Sequence, residues 1–439
     1  MNAGPQVVRA AVDAVVAWAR SGRSVRDVIA ANVALRQASG ALRAQVSALA
    51  TAAVTLAIRH EFLLAGDDGL RGLSAPARGE ALVLAAAVAN GAWAPEDAAA
   101  AFAAVHRSTL PFAALTAPAA AFALNASPER AFAREHSVPE WFATAALQAF
   151  GEQAAAVARA LSQPAPRTLR ANLLVVRDRA ELVAELAAAG IATRAATYAA
   201  TALHVDGDVD LFATGAYARG AFEQQDEASQ VAVAAVAPPP GGKVLDLCAG
   251  NGGKTLALAA ALRNRGQVLA TDVHLGRLQG LRERLRRARA DNVQVAAIGE
   301  HDWPEPVRTF AANADRILID APCSGTGSWR RRPEGRHAID AVSLRKLVAT
   351  QDDLLRRAAA VLRPGARLCY ATCSLLPTEN EARIDALCAA DSGLERVRMV
   401  EVLGGAFGRS VADATGTFLV LRPDRHGCDG FFLAILRRR

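Results

Sequence analysis

Two cysteines, Cys323 and Cys373, are the residues of this 439-residue chain best suited to covalent chemistry. Each ends a short apolar run. Asp320-Ala321-Pro322-Cys323-Ser324-Gly325-Thr326-Gly327 follows Arg316–Asp320, and Ala371-Thr372-Cys373-Ser374 closes Arg367–Thr372. A free cysteine is usually a small buried apolar residue. That description suits Cys369 and Cys388, and also Cys248 and Cys428. It suits Cys323 and Cys373 poorly, because both stand where strands would empty into a cleft and both precede a serine. One reaction needs a thiol in such a place. C5 of a pyrimidine is too weak a nucleophile to take a methyl group directly. A thiolate adding to C6 makes C5 enamine-like, C5 then attacks a methyl sulfonium, and loss of the C5 proton with elimination frees the thiol. At a reference pKa near 8.5 only about 3% of a thiol is ionised at pH 7, so a helix dipole or nearby cation would help. A second cysteine could assist the elimination.

A glycine loop lies upstream, Asp246-Leu247-Cys248-Ala249-Gly250-Asn251-Gly252-Gly253-Lys254-Thr255, between a strand and a helix. Its glycines let backbone approach a ligand closely at a helix N-terminus. A phosphate-binding P-loop needs glycine where Cys248 stands, and a dinucleotide fingerprint needs glycine where Thr255 stands. Neither reading survives. Asp272, just past the next strand, could accept both hydroxyls of a ribose, and Asp302 could accept from an adenine amino group. The arrangement suits S-adenosylmethionine, an adenosine ligand with no pyrophosphate.

The elements that must position these groups are legible from periodicity. Residues 5–65 read as amphipathic helices, with Thr51–Leu64 as one of them and Gly22 ending the first. Further helices at 80–90, 95–106 and 139–161 make the first 150 or so residues all-α, until Gln163-Pro164-Ala165-Pro166 breaks the pattern. Leu169–Val176, Leu203–Val205 and Asp210–Phe212 then read as strands, around a helix Asp178–Ala189 closed by Gly190. Pro238-Pro239-Pro240-Gly241-Gly242 reads as a linker. Beyond it Val244–Cys248, Val268–Thr271, Val293–Ile298, Arg316–Asp320 and Arg367–Thr372 alternate with helices such as Thr255–Arg263 and Gly276–Ala290. That rhythm predicts a doubly wound parallel sheet with its ligand at the carboxyl ends of the strands. Phe431–Leu436 is expected as a closing edge strand. The expected domains are 1–143, helical; 144–237, a small α/β connector; and 238–439, an α/β Rossmann-like methyltransferase.

Several motifs carry a resemblance to a known family. Gln225-Asp226-Glu227-Ala228-Ser229, the 246–255 loop, the 320–327 segment, Tyr370–Ser374 with Glu379-Asn380-Glu381, and Asp429-Gly430-Phe431-Phe432 resemble those of the Sun/Nop family of RNA cytosine-5 methyltransferases. The resemblance covers about residues 130–439, including Ser137–Trp141 and Arg170-Ala171-Asn172. The helical first domain is similar in pattern to a NusB-like RNA-binding module. The resemblance implies methylation of C5 of a cytosine in small-subunit (16S) rRNA, with tRNA as the alternative substrate and a non-catalytic assembly factor as the rival reading. By the family pattern Cys373 is the nucleophile and Cys323 assists release; DNA cytosine methyltransferases attack from a Pro-Cys segment after the fourth strand, which would make Cys323 the nucleophile. It also implies cofactor contacts from Cys248, Ala249, Gly250, Asn251, Gly252, Gly253 and Lys254 together with Asp272, Arg277, Asp302 and Asp320. Lys254 and Asp320 would also touch the target base. The family usually has Ala-Pro-Gly-Gly-Lys where this chain has Gly250-Asn251-Gly252-Gly253-Lys254. Losing the proline loosens the loop, which bears on cofactor affinity more than on the reaction. The chain ends soon after Phe431-Phe432, so the extra C-terminal RNA-binding domain of some relatives is not expected.

Charge is consistent with an RNA partner. The formal net charge is +7, and the excess sits in residues 241–439, with 31 Lys plus Arg against 22 acids. Only three cations of 50 are lysines, and arginine suits bidentate phosphate contact. Arg277, Arg282, Arg284, Arg286, Arg287 and Arg289 share one helical stretch opposed only by Glu283, and read equally as a solvated face or an RNA contact. Arg330, Arg331, Arg332 and Arg336 follow the Cys323 loop and are expected to bind phosphate; Trp329 could stack on a base or simply pack. The target cytosine must be unpaired or flipped for attack at C6. No apolar run approaches the roughly 20 residues of a spanning helix, and no basic-then-apolar leader opens the chain. Six cysteines without a CxxC pair make a disulfide framework or a zinc site unexpected. The expectation is a cytoplasmic enzyme without an obligate protein partner or a metal.

Overall fold

A computed structural model describes residues 3–439 except Asp208 and His301. The chain forms two compact units. One holds the residues up to Pro164 together with Trp329–Ala341, and the other holds Ala165–Ser328 and Val342–Arg439.

The first unit is helical. Pro5–Ser21 starts with a proline in its first turn and stops at Gly22, whose φ of 64° is left-handed. Its buried Val7, Val8, Ala11, Ala14 and Val15 recur at helical spacing. They pack with Gly40–Thr55 and Ala75–Ala89; the latter is buried from Ala81 to Val88 and forms the centre of this core. The single helix expected over 51–64 is instead two, Gly40–Thr55 and Ala57–Ala65, bent at Leu56. Apolar periodicity runs through the bend, so the local pattern gave no sign of it. Its cause is distant: the Arg59 amide bonds Ser137 Oγ, and the carbonyls of Val54 and Thr55 are taken by His337 and Arg336. Helices continue through Glu140–Phe150 and Ala154–Leu161, so the expected boundary at 143 falls inside a helix. The break between units comes at the Gln163–Pro166 stretch. No single helix among the described residues is long and apolar enough to cross a membrane.

Residues Trp329–Ala341 are built into this helical core. Trp329 is 1% exposed, 4.7 Å from the ring of Phe142 and 6.1 Å from that of Trp141. The buried Arg336 guanidinium donates to the carbonyls of Thr55 (3.1 Å), Ser137 (3.1 Å) and Leu161 (2.7 Å) and to Ser162 Oγ (3.1 Å). Arg336 is therefore not a phosphate ligand, and Trp329 packs rather than stacking on a base.

The second unit begins with four short antiparallel strands, β1 (Arg167–Ala171), β2 (Thr193–Ala195), β3 (Ala202–Val205) and β4 (Phe222–Gln224), in the order β2-β3-β1-β4. The strand expected to reach Val176 stops at Ala171. Asn172 turns the chain there: its Oδ1 accepts from Leu174 N, and its Nδ2 donates to Gly220 O and Ala288 O. Asp210–Phe212 is not a strand either; the Asp210 side chain accepts from Phe212 N and starts a short 3-10 turn at Leu211–Ala213. Pro238–Gly242 is a tight turn within the unit, closed by Gly242 N on Pro239 O at 2.9 Å.

Beyond that turn come β5 (Lys243–Asp246), β6 (Gln267–Asp272), β7 (Val293–Ala297), β8 (Arg316–Asp320) and β9 (Arg367–Thr372), then β10 (Leu394–Arg396), β11 (Leu419–Leu421) and β12 (Phe431–Arg438). The sheet order is β10-β12-β9-β8-β5-β6-β7, with β11 also on β12. Strands β5 to β9 are parallel to their neighbours, and β12 runs antiparallel to β9. Apolar runs such as Ile317–Ile319 are buried throughout, as in parallel strands covered on both faces. Contrary to expectation β12 is no edge: Leu436–Arg438 pair with β10 and Phe431–Leu433 with β11. The order reverses between β5 and β8, which opens the cleft at their carboxyl ends.

Candidate active site

The glycine loop leaves β5 at Asp246 and enters the helix Gly253–Ala261. Gly250 and Gly252 have φ of 55° and 80°, which favours glycine. At Gly252 a Cβ would also lie 2.0 Å from Leu281 Cδ1. No side chain caps the helix, so its first amides are available to a ligand. Asp272 anchors the loop: one carboxylate oxygen accepts from Gly250 N and the other from His274 N, both at 2.8 Å. Each oxygen keeps a lone pair for a hydroxyl. Asp246 is wholly buried beneath the loop. One of its oxygens accepts from Thr255 Oγ1 at 2.6 Å and the other has no partner. Burial pushes this carboxyl up to about 7. An uncapped helix start, an anchored carboxylate and an unpartnered buried oxygen fit the amino-acid and ribose parts of S-adenosylmethionine.

Lys254, in the first turn of the same helix, reaches across to β8. Its Nζ is 2.7 Å from Asp320 Oδ2 and 4.9 Å from the centroid of the Phe431 ring. Burial opposes its charge, but Asp320, with Cys373 and Asp246 adding to it, outweighs burial and holds the ammonium above the ordinary lysine range. The loops after β8 and β9 then bring the two cysteines together, with Cys323 Sγ 3.5 Å from Cys373 Sγ. The two thiols are not equivalent. The bond from Cys323, with Lys254 adding positive charge, draws Cys373 below the ordinary thiol range, while the same bond and burial raise Cys323. Burial also raises Cys369 to about 12 and Cys248 further, as expected of inert thiols.

The structure thus brings Lys254, Asp320, Cys323 and Cys373 into one cluster beside the Cys248–Gly253 loop and Asp272. Asp302 stands farther along the loop after β7, exposed, with Arg308 Nη1 3.4 Å from its Oδ1. Arg277 is exposed near the start of the helix Leu275–Ala288. Arg330, Arg331 and Arg332 belong to the helical unit, where Arg332 is exposed and the other two are half-buried. The arginine-rich helix is not a uniform solvated stripe opposed only by Glu283. Buried Glu223 of β4 accepts from Arg284 at 2.7 Å and also pairs with Arg287, tying the small sheet to the methyltransferase sheet.

Nothing in the sequence marks Glu379 or Gln351 as a site residue. Glu379 belongs to the quoted Glu379-Asn380-Glu381 motif, but no local signal says where its side chain goes. It is fully buried and bonds the serines that follow both cysteines, as detailed below.

The strand order, the antiparallel β12 and the loop between β5 and its helix define a Rossmann-like S-adenosylmethionine-dependent methyltransferase. Residues 233–437 match the family described as 16S rRNA methyltransferase RsmB/F, and residues 138–211 match the RsmF/B-like ferredoxin-like domain. The chain is 33% identical over 302 residues to ribosomal RNA small subunit methyltransferase B of Xanthomonas campestris, over 68% of this chain and 66% of that one. It is 30% identical over 306 residues to the enzyme of the same name from Photorhabdus laumondii, over 69% of this chain and 67% of that one. These matches span about two thirds of the relatives' length. Among solved structures, a methyltransferase homolog protein from Pyrococcus horikoshii superposes with a TM-score of 0.60 at 29% identity, over 72% of this chain and all of that one. The chain belongs to the RsmB/F family of 16S rRNA methyltransferases.

Proposed function

We propose that this chain methylates C5 of a cytosine in small-subunit rRNA through a covalent adduct between Cys373 and C6. The observation that carries the reading is the thiol pair 3.5 Å apart, with the Lys254–Asp320 ion pair alongside, at the carboxyl ends of β8 and β9. S-adenosylmethionine, held by Cys248–Lys254, Asp272, Asp302, Arg277 and Asp320, supplies an electrophilic methyl sulfonium when bound. Cys373, the more ionised thiol, adds to C6 and forms the carbon–sulfur bond. Lys254 and Asp320 face the base edge, and their opposite charges suit its ring acceptors and amino group. A base takes the C5 proton, and Cys323 assists the elimination in which the carbon–sulfur bond breaks and the Cys373 thiolate leaves. The helical unit is an RNA-binding module of NusB-like type, with Arg332 and its neighbours Arg330 and Arg331 taking phosphate. The substrate is 16S rRNA or an early small-subunit particle in the cytoplasm, and no obligate protein partner is invoked.

The test is methyl transfer from labelled S-adenosylmethionine to unmodified small-subunit rRNA and to bulk tRNA in parallel, with the product nucleoside identified. 5-Methylcytosine in rRNA alone is the expected result. Label in tRNA alone discards the rRNA assignment, and no transfer to either RNA overturns the reading as an enzyme of this substrate class.

A further inference from the structure

The Glu379 carboxylate is fully buried, and among the described residues the donors that reach it are neutral. They are Ser324 N (2.8 Å), Ser324 Oγ, Ser374 Oγ (2.5 Å) and Gln351 Nε2 (3.0 Å). Burying a carboxylate without a cation is costly. Its use here follows from stereochemistry, because an ionised carboxylate is the side chain that accepts four bonds and donates none. Three of the four fall on Ser324 and Ser374, the residues after Cys323 and Cys373. Gln351 extends the clamp by donating to Pro322 O at 2.9 Å, on the other side of Cys323. Neighbouring Asn380 holds the remaining flank, accepting from Thr372 Oγ1 at 2.6 Å and donating to Ser374 O at 3.0 Å. The two cysteine loops come from different strands, and this carboxylate is bonded to both.

We infer that Glu379 is a positioning residue that sets the separation of the two thiols, acting through Ser324 and Ser374. The inference rests on the thiol roles proposed above. It goes beyond them in naming the group that makes the pair a pair. The depressed thiol of Cys373 depends on the bond from Cys323, so the clamp controls how much thiolate is present.

The test is the pH profile of Cys373 alkylation by iodoacetamide in the whole protein, read at that residue by peptide mass spectrometry. In Glu379→Gln the amide oxygen can keep the Ser324 and Gln351 N–H groups. Its NH2 group then meets the two hydroxyls, which lose their bonds to a carboxylate and must turn to accept, at Ser374 Oγ in competition with Leu376 N, so the clamp on the two loops loosens. The Cys373 inflection then moves up and alkylation at pH 7 slows by about tenfold, the loss of thiolate for one pKa unit. Ser324→Ala and Ser374→Ala each delete one hydroxyl bond and move the inflection the same way by less; they decide the matter should Glu379→Gln fail to fold. Cys323→Ala also raises the inflection, and adding Glu379→Gln to it changes little, because both act on the same bond. Unchanged inflections in the glutamine and serine variants overturn the proposal, as does an additive shift in the double variant. Alkylation needs no RNA, so wild-type protein inactive on rRNA refutes the proposed function while leaving this measurement able to judge the clamp.

Discussion

Arg336→Met removes a buried cation and leaves most of its aliphatic volume. The guanidinium makes four hydrogen bonds to Thr55, Ser137, Leu161 and Ser162. At roughly 1.5 kcal/mol each, the low end for bonds from a charged group, they total about 6 kcal/mol. Burial acts against this, lowering the guanidinium well below the ordinary arginine range, to about 10. That shift corresponds to about 3 kcal/mol of desolvation, which the substitution relieves. The net loss is then about 3 kcal/mol, at the lower end of what breaking a buried ionic network costs, roughly 3–5 kcal/mol. Urea unfolding followed by tryptophan fluorescence measures it well, because Trp18, Trp93, Trp141 and Trp329 lie in the helical unit and only Trp303 lies in the other. The midpoint should fall with the slope unchanged, and RNA affinity under folding conditions should stay the same. A change below about 1 kcal/mol, or weaker RNA binding at unchanged stability, refutes the reasoning and returns Arg336 to the phosphate-binding role its neighbours suggested.

Four further outcomes follow from the same geometry. Cys373→Ala should abolish methyl transfer, and Cys323→Ala should accumulate a covalent RNA complex on a denaturing gel; an adduct in the Cys373 variant instead would exchange the two roles. Gly252→Ala places a Cβ 2.0 Å from Leu281 Cδ1 at a left-handed φ, so S-adenosylmethionine binding by calorimetry should weaken more than tenfold, about 1.4 kcal/mol or more; unchanged affinity would dissociate the loop from the cofactor. Lys254→Met should raise the pH at which methyl transfer reaches half its plateau, since the ammonium favours the Cys373 thiolate; an unmoved profile would mean that the lysine contributes nothing to thiol ionisation. Burial lowers the buried His60 from 6.5 to about 3, so the unfolded chain binds a proton the folded chain refuses between those values. Stability should drop as pH falls through that window, by up to about 1.4 kcal/mol per unit, and His60→Gln should flatten the dependence measured by urea midpoints.

The parallel strands and the cysteine loops were legible because their signals are local. Short apolar runs ending in Asp320 or Thr372 mark strands, and a glycine loop before a helix marks a ligand site whatever else surrounds it. What escaped depends on partners far along the chain. The bend at Leu56 requires Arg336 and His337, and the end of β1 requires an asparagine bonded to Ala288 O. The interior place of β12 depends on β10 and β11, three-residue strands too short to show alternation. The arginines divide in the same way. Arg284, Arg287 and Arg336 look like their exposed neighbours in sequence, and only buried Glu223 and a ring of carbonyls distinguish them. Glu379 was legible as part of a motif; its role lies in a side-chain path joining two loops about 50 residues apart.

The placement of Trp329–Ala341 in the helical unit has a consequence for synthesis of the chain. The segments that supply Thr55, Ser137 and Leu161 leave the ribosome long before Arg336 exists. At about 5–20 residues per second, the delay between Leu161 and Arg336 is roughly 10–35 s. During that interval three carbonyls that end up dry must stay hydrated, and the site that receives Trp329 beside Phe142 stays open. The helical unit therefore cannot complete its core as an independent first-made body. It matures only after β5 to β8 have been synthesised, so the nascent chain acquires a finished helical unit and the Cys323 loop within a few residues of each other.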